Sequence, residues 1–122
     1  MPVTYRFDTN IVILELVGEY SMDDIRTTIL KSLSDAMCPA NSFLLIDLGE
    51  SRSIYNMSPE NVKAMSHFIA SLGKQFNNRI ALVASKDLPF GLMRMTTIES
   101  EEWGIEAEVF RTFDQAKKWL LS

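Results

Sequence analysis

The sequence holds one cysteine, Cys38, and one histidine, His67. The lone cysteine excludes an intramolecular disulfide and suits a reducing compartment. Its bland role is that of a small hydrophobe at a helix end, since nothing nearby in sequence would lower its pKa. A metal site needs several converging ligands, which one isolated Cys and one isolated His do not supply, so no metal is expected. No Walker A or dinucleotide-type glycine pattern is present, and no G-x-S-x-G turn, which leaves phosphate-loop chemistry and a serine triad without support. The longest apolar stretches are strand length, far short of the ~20 residues that span a bilayer. The opening Met1 to Phe7 lacks the charged-then-apolar layout of a signal peptide, so the expected location is the cytoplasm. A formal charge of −4 argues against general nucleic-acid binding, where Lys and Arg must displace counterions from phosphates. No cofactor is implied.

Against these absences, 47% of the 122 residues are hydrophobic, enough to build one core without disulfide or metal. No linker, internal repeat or low-complexity stretch divides the sequence, which predicts a single domain over 1–122.

Val3, Tyr5 and Phe7 alternate with polar residues, Asp8-Thr9-Asn10 is turn chemistry, and Ile11 to Val17 is strand-like, so the chain opens with a β-hairpin. Ser21-Met22-Asp23-Asp24 reads as a helix start. Ile25, Ile29, Leu33 and Met37 follow as one apolar stripe that Cys38-Pro39 ends. Phe43 to Leu48 is an apolar run broken only by Asp47, the pattern of a central parallel strand covered on both faces. A polar stretch from Gly49 to Met57 leads to Ser58-Pro59-Glu60, a second helix start with proline at its first position. Val62, Met65, Ile69, Leu72 and Phe76 form its stripe, closed by Asn77-Asn78. Ile80 to Ala84 is a further apolar strand, and Ser85-Lys86-Asp87 leads into a third helix over Leu88 to Trp103. Its expected core contacts are Leu92, Met95 and Ile98, with Gly104 as its cap. Ala107, Val109 and Phe110 suggest a last strand, and Thr112 to Gln115 has the capping spacing of a closing helix with Ala116, Trp119 and Leu120 inward. The order ββαβαβαβα predicts an α/β fold. Its sheet is mainly parallel, with right-handed crossovers and one antiparallel edge strand from the N-terminal hairpin.

In such a sheet, the loops after the strands gather at the carboxyl edge, and ligands bind there near the switch point in strand order. That edge is expected to collect Asp47, Ser51, Arg52, Ser53, Ser58, Ser85 and Lys86, with Arg94 close by. Helix N-termini at the same edge carry partial positive charge and free N–H groups, so a basic rim suited to an anion is one expectation. The alternative is that these are ordinary caps and solvated charges. Ser58 has a sufficient role as an N-cap, and a phosphate on it would add charge at a helix N-terminus. Phe90-Gly91-Leu92-Met93-Arg94-Met95 is richer in apolar residues than one buried helix face needs. Phe90, Met93 and Arg94 are therefore candidates for a movable flap over an apolar pocket, or for a dimer face.

The hairpin, Gly18-Glu19-Tyr20-Ser21, Phe43 to Leu48, Arg79 to Ala84 and the ending Val109-Phe110 to Leu120 together resemble the SpoIIAA-like branch of the STAS superfamily. The resemblance covers nearly the whole chain. It also implies the architecture of the lipid-binding CRAL-TRIO domains. Anti-sigma-antagonist STAS domains are partner-binding switches, phosphorylated at the start of the helix after the third strand, usually in Asp-Ser-Ser-Gly. This chain has Tyr55-Asn56-Met57-Ser58 there, without the aspartate and glycine, which leaves Ser58 as the matching hydroxyl. The resemblance implies a non-enzymatic regulatory or protein-interaction module. The alternative is a carrier or sensor for a small lipid-like or anionic metabolite, gated by the third helix. Expected partners are thus a protein or a small apolar or anionic ligand, and a homodimer is possible.

Overall fold

The computed structural model describes residues 2–52 and 58–122. Strands β1 (Val3–Asp8) and β2 (Ile11–Gly18) form the expected antiparallel hairpin, with Asp8 opposite Ile11 across the Thr9–Asn10 turn. Thr9 takes φ +53°, a left-handed conformation that β-branched residues rarely enter.

Helix α1 (Met22–Ser34) starts in a reciprocal capping box. The Ser21 Oγ accepts from the Asp24 N–H, and the Asp24 carboxylate accepts from the Ser21 N–H. The helix stops three residues before the expected end, so Met37 is 77% exposed and Cys38 is only half-buried beyond it. The cause is Asp35. Its carboxylate accepts the Met37 N–H at 2.9 Å and the Tyr5 hydroxyl at 2.7 Å, a local turn that replaces the next helical hydrogen bond and ties the helix end to β1.

Strand β3 (Phe43–Ser51) is followed by α2 (Pro59–Leu72), whose Ser58 and Asn61 form a second capping box with proline at the helix start. A 3-10 turn, Gly73–Phe76, continues α2 and buries Phe76. A Cβ on Gly73 would run into the Ile105 side chain, so this glycine is set by close approach. Left-handed Asn77 ends the turn, and its side-chain amide donates to the carbonyls of Asn41 and Ser42. Strand β4 (Arg79–Val83), helix α3 (Asp87–Glu101), strand β5 (Glu106–Phe110) and helix α4 (Phe113–Leu120) complete the chain.

The sheet order is β1-β2-β3-β4-β5, antiparallel only between β1 and β2. Leu44 lies beside Ile80 with the strands parallel, so the Phe43 and Ile80 segments are direct neighbours as expected. Each parallel crossover steps to the next position in the same direction. Right-handed crossovers of that kind place their helices on one face. Accordingly, Ile25 and Ile29 of α1, Phe68 and Ile69 of α2, and Met93 of α3 share one core with Leu14, Leu44, Ile46 and Leu82 of the sheet. A smaller core on the opposite face joins Ile11, Ile13, Leu45, Ala81 and Val83 to Ala116 and Leu120 of α4. Each fully buried Leu, Ile or Phe contributes roughly 1.5–3 kcal/mol by leaving water.

Two expectations are corrected here. The strand order never reverses, so the sheet has no switch point and no crevice of the kind a reversal opens. Helix α3 is also rotated from its expected setting. Met93, Thr96 and Thr97 face inward, while Met95 and Ile98 are exposed and Leu92 is half-buried. The threonines tolerate burial because their hydroxyls donate to carbonyls of their own helix, Thr96 to Leu92 and Thr97 to Arg94. Ser66 of α2 donates to the Thr96 carbonyl at 3.3 Å, so small hydroxylated residues form the α2–α3 seam.

Candidate functional site

The carboxyl edge of the sheet collects the ends of β2 to β5. Strands β2 and β3 run on together to Gly18 and Ser51, whereas β3 and β4 part after Asp47 and Val83. The β2–β3 pair therefore runs on past the end of β4 as a ribbon, with β1 beside β2 as far as Val17 and a register shift between Glu15 and Val17. At its tip the Arg52 N–H donates to the Gly18 carbonyl at 2.7 Å. Gly18 has φ +69°, and the Arg52 guanidinium lies against it, with Nη2 3.2 Å from where a Cβ would sit. The backbone conformation favours glycine there, and an added Cβ would also need the exposed Arg52 guanidinium to shift by a few tenths of an ångström. Arg52 is exposed.

Asp47 stands at the centre of the edge, half-buried, beside Glu15 on one side and Val83 on the other. Its carboxylate accepts the Gly49 N–H at 2.9 Å, a turn-forming contact that accounts for the residue without a ligand. Ser58 is exposed at the start of α2, with its Oγ accepting from the Asn61 N–H at 3.2 Å. Ser51 ends β3 beside Gly18. Ser53 and the side chain of Ser51 lie outside the described residues.

A second group forms where β4 and β5 end. Ser85 and Lys86 are exposed, and the Ser85 carbonyl accepts from Arg111 at 3.1 Å. Arg111 also pairs with Asp87 at 2.9 Å and lies 4.0 Å above the half-buried Phe90 ring. The ion pair is exposed and weak, and because Asp87 offsets Arg111 it adds no net positive charge to the expected basic rim. Sequence reasoning missed Arg111. The available signal was its place directly after the last strand, on the same edge as the other loop residues.

Two candidates do not join this rim. Met93 has no exposed surface and belongs to the core. Arg94 lies about two turns into α3, in a cleft of about 170 Å³ shared with Phe90, Glu101 and Glu108. Among the described residues no hydrogen bond or ion pair links the Arg52 group to the Lys86 group. The edge thus carries two separate clusters.

His67 projects from α2 as expected, exposed, with its ring 4.9 Å from that of Trp103. No cluster of His, Cys, Asp and Glu able to hold a metal occurs among the described residues. Among them, too, no helix is long and apolar enough to cross a membrane. Between α1 and α2 an open groove of about 630 Å³ is lined by Met22, Arg26, Leu30, Phe68 and Leu72, and the Arg26 guanidinium lies 5.7 Å from the Phe68 ring.

The titration shifts that stand out belong to the anchor of α1. The Asp35 carboxyl is held below its ordinary range, first by the Met37 N–H and then by the Tyr5 hydroxyl. The Tyr5 hydroxyl is correspondingly raised, chiefly by donating to Asp35, with smaller effects from burial and from the nearby carboxylate charge. This is a structural tie between the end of α1 and the middle of β1, not part of the candidate site.

No family model matches the chain, and no curated protein matches it either. Among solved structures, it is similar to an uncharacterized protein of the DUF3478 family with a SpoIIAA-like fold from Shewanella loihica PV-4. That likeness covers 97% of this chain and 91% of the other, with a TM-score of 0.57 and 18% sequence identity. Five strands in this order and direction, three helices on one face and one on the other, make this chain an α/β protein with a SpoIIAA-like fold.

Proposed function

We propose that this chain is a non-enzymatic regulatory module that binds a protein partner at the projecting end of β3 and the start of α2. The observation that carries the reading is the overrun of the β2–β3 ribbon beyond β4. It sets Arg52 forward of the β4 end of the sheet, where a partner reaches it without displacing core elements. The polar groups there have local structural partners, Asp47 with Gly49 and Ser58 with Asn61, and those pairings suit a rigid recognition surface. Ser58 is the candidate for modification. A phosphate on its exposed hydroxyl would sit at the positive end of the α2 dipole and add negative charge there.

The ligand-carrier alternative gains less support, because Met93 fills the space under α3 that a small molecule would need. Quantitative affinity capture with wild-type protein, Arg52→Glu and Ser58→Asp tests the proposal. A discrete partner enriched by the wild type and lost from both variants is the expected result. Equal recovery by all three removes the ribbon and α2 start from consideration. Native mass spectrometry of freshly purified protein addresses the alternative, since a bound small molecule would appear as a stable mass increment.

A further inference from the structure

Rotation of α3 leaves an apolar stripe facing outward. Leu88, Met95 and Ile98 are 53%, 53% and 55% exposed, and Gly91 between them has nothing within 4 Å of the place a Cβ would occupy. Their spacing, i, i+3, i+7 and i+10, is that of a seam between two helices. Along one flank of the stripe stand Arg94 and Glu101, about two turns apart, both exposed. Both line one cleft with Glu108 of β5, and neither side chain has an ion pair among the described residues.

The charge pattern selects the occupant. When two copies of one helix pack antiparallel about a two-fold axis, the same flank of each faces the other. Arg94 of one copy then meets Glu101 of the other, and the symmetry makes the pairing twice, with Met95 and Ile98 between the two ion pairs. We propose that α3 is a self-association surface, through which two copies of this chain form a two-fold dimer by antiparallel α3–α3 packing. That register overlaps the two helices over about the last two turns of α3, so the interface falls at the small end of specific contacts, below about 1,200 Å². The expected dissociation constant is therefore in the micromolar range, roughly 1–100 µM. This association is independent of the ribbon surface, which lies elsewhere on the molecule.

Sedimentation velocity over a wide concentration range tests the proposal on the full chain. The wild type should pass from monomer to dimer. Arg94→Glu alone and Glu101→Arg alone should each weaken the dimer about tenfold or more, and the double variant should restore it. Ile98→Lys should abolish it. All these side chains are exposed, so circular dichroism should confirm an unchanged fold. A wild type that stays monomeric throughout overturns the proposal, as does a dimer indifferent to the single reversals, or a double variant that fails to recover. A monomer that floats with phosphatidylcholine vesicles would assign the stripe to a membrane surface and overturn it equally.

Discussion

On one face of the sheet, α1, α2 and α3 bury large apolar side chains against it, with Phe76, Ile25, Ile29 and Ile69 among those almost wholly removed from water. On the other, the eight-residue α4 brings Ala116 and Leu120 as its fully buried residues. A helix that short gains little from packing and is marginal by itself. It is fixed instead by polar ties at its ends. The Thr112 hydroxyl accepts from the Gln115 N–H at its start. Lys117 pairs with Asp8 of the hairpin at 2.9 Å. Arg79 at the beginning of β4 donates to the carbonyls of Trp119, Leu120 and Ser122, stacks 4.8 Å from the Trp119 ring and pairs with Glu106. One cation thus satisfies the free carbonyls at the α4 C-terminus, where the helix dipole favours positive charge. The comparison teaches that one sheet is covered by apolar area where three helices are available and by directed hydrogen bonds where there is one.

Four measurements test that contrast. The largest effect is expected on the packed face. Phe76→Ala should cost about 3–5 kcal/mol in chemical denaturation, and a loss below about 1 kcal/mol would mean that face is not close-packed. On the pinned face, Arg79→Met should cost about 1.5–3 kcal/mol, since it removes charged hydrogen bonds to the Leu120 and Ser122 carbonyls and one to the Trp119 carbonyl, which Ser122 also serves. Its signature is local: amide exchange in residues 113–120 should quicken while α1 and α2 stay protected. Arg79→Lys should recover only part of the loss, because an ammonium cannot reproduce the planar fork.

Third comes the polar tie on the packed face. The Asp35 carboxyl is depressed in the folded protein, so the stability it supplies is present above its unfolded pKa and is lost as pH falls through the lowered folded value. Asp35→Asn should therefore narrow its gap from the wild type in strongly acidic buffer. The raised Tyr5 hydroxyl works in the opposite sense. Its contribution is intact below its ordinary value of 10.0 and disappears as pH rises through the raised one. A wild-type-to-variant gap that is flat across the acid limb would detach Asp35 from stability. The smallest effect belongs to the hairpin that both faces share. Thr9→Gly should stabilise by about 0.5 kcal/mol, because relief of the left-handed strain slightly exceeds the entropy cost of glycine. A loss on that substitution would show that the Thr9 hydroxyl, which donates to the Asp8 carbonyl, matters more than the strain.

The strands and their directions were legible because continuous apolar runs such as Leu44 to Ile46 and Ile80 to Val83 have one reading in an α/β chain. Caps were legible too, since Ser21, Ser58 and Thr112 act within three residues of themselves. What failed did so where a side chain reached across the fold or a polar residue was self-satisfied. Helix α1 ends early because Asp35 meets Tyr5, 30 positions away. Helix α3 turns its threonines inward because their hydroxyls are paired within the helix, so apolar pattern alone pointed to the wrong face. The rim residues were individually placed, but their grouping depended on Arg111 finding Asp87, 24 positions distant. No local pattern encodes that meeting.

The strictly consecutive strand order has a kinetic corollary. Every parallel partner is the next strand along the chain, so each loop that must close is about one strand-helix unit long. Low sequence separation between contacts favours quick assembly. During synthesis, each unit can dock on the growing edge left by the one before it, without waiting for sequence still inside the ribosome.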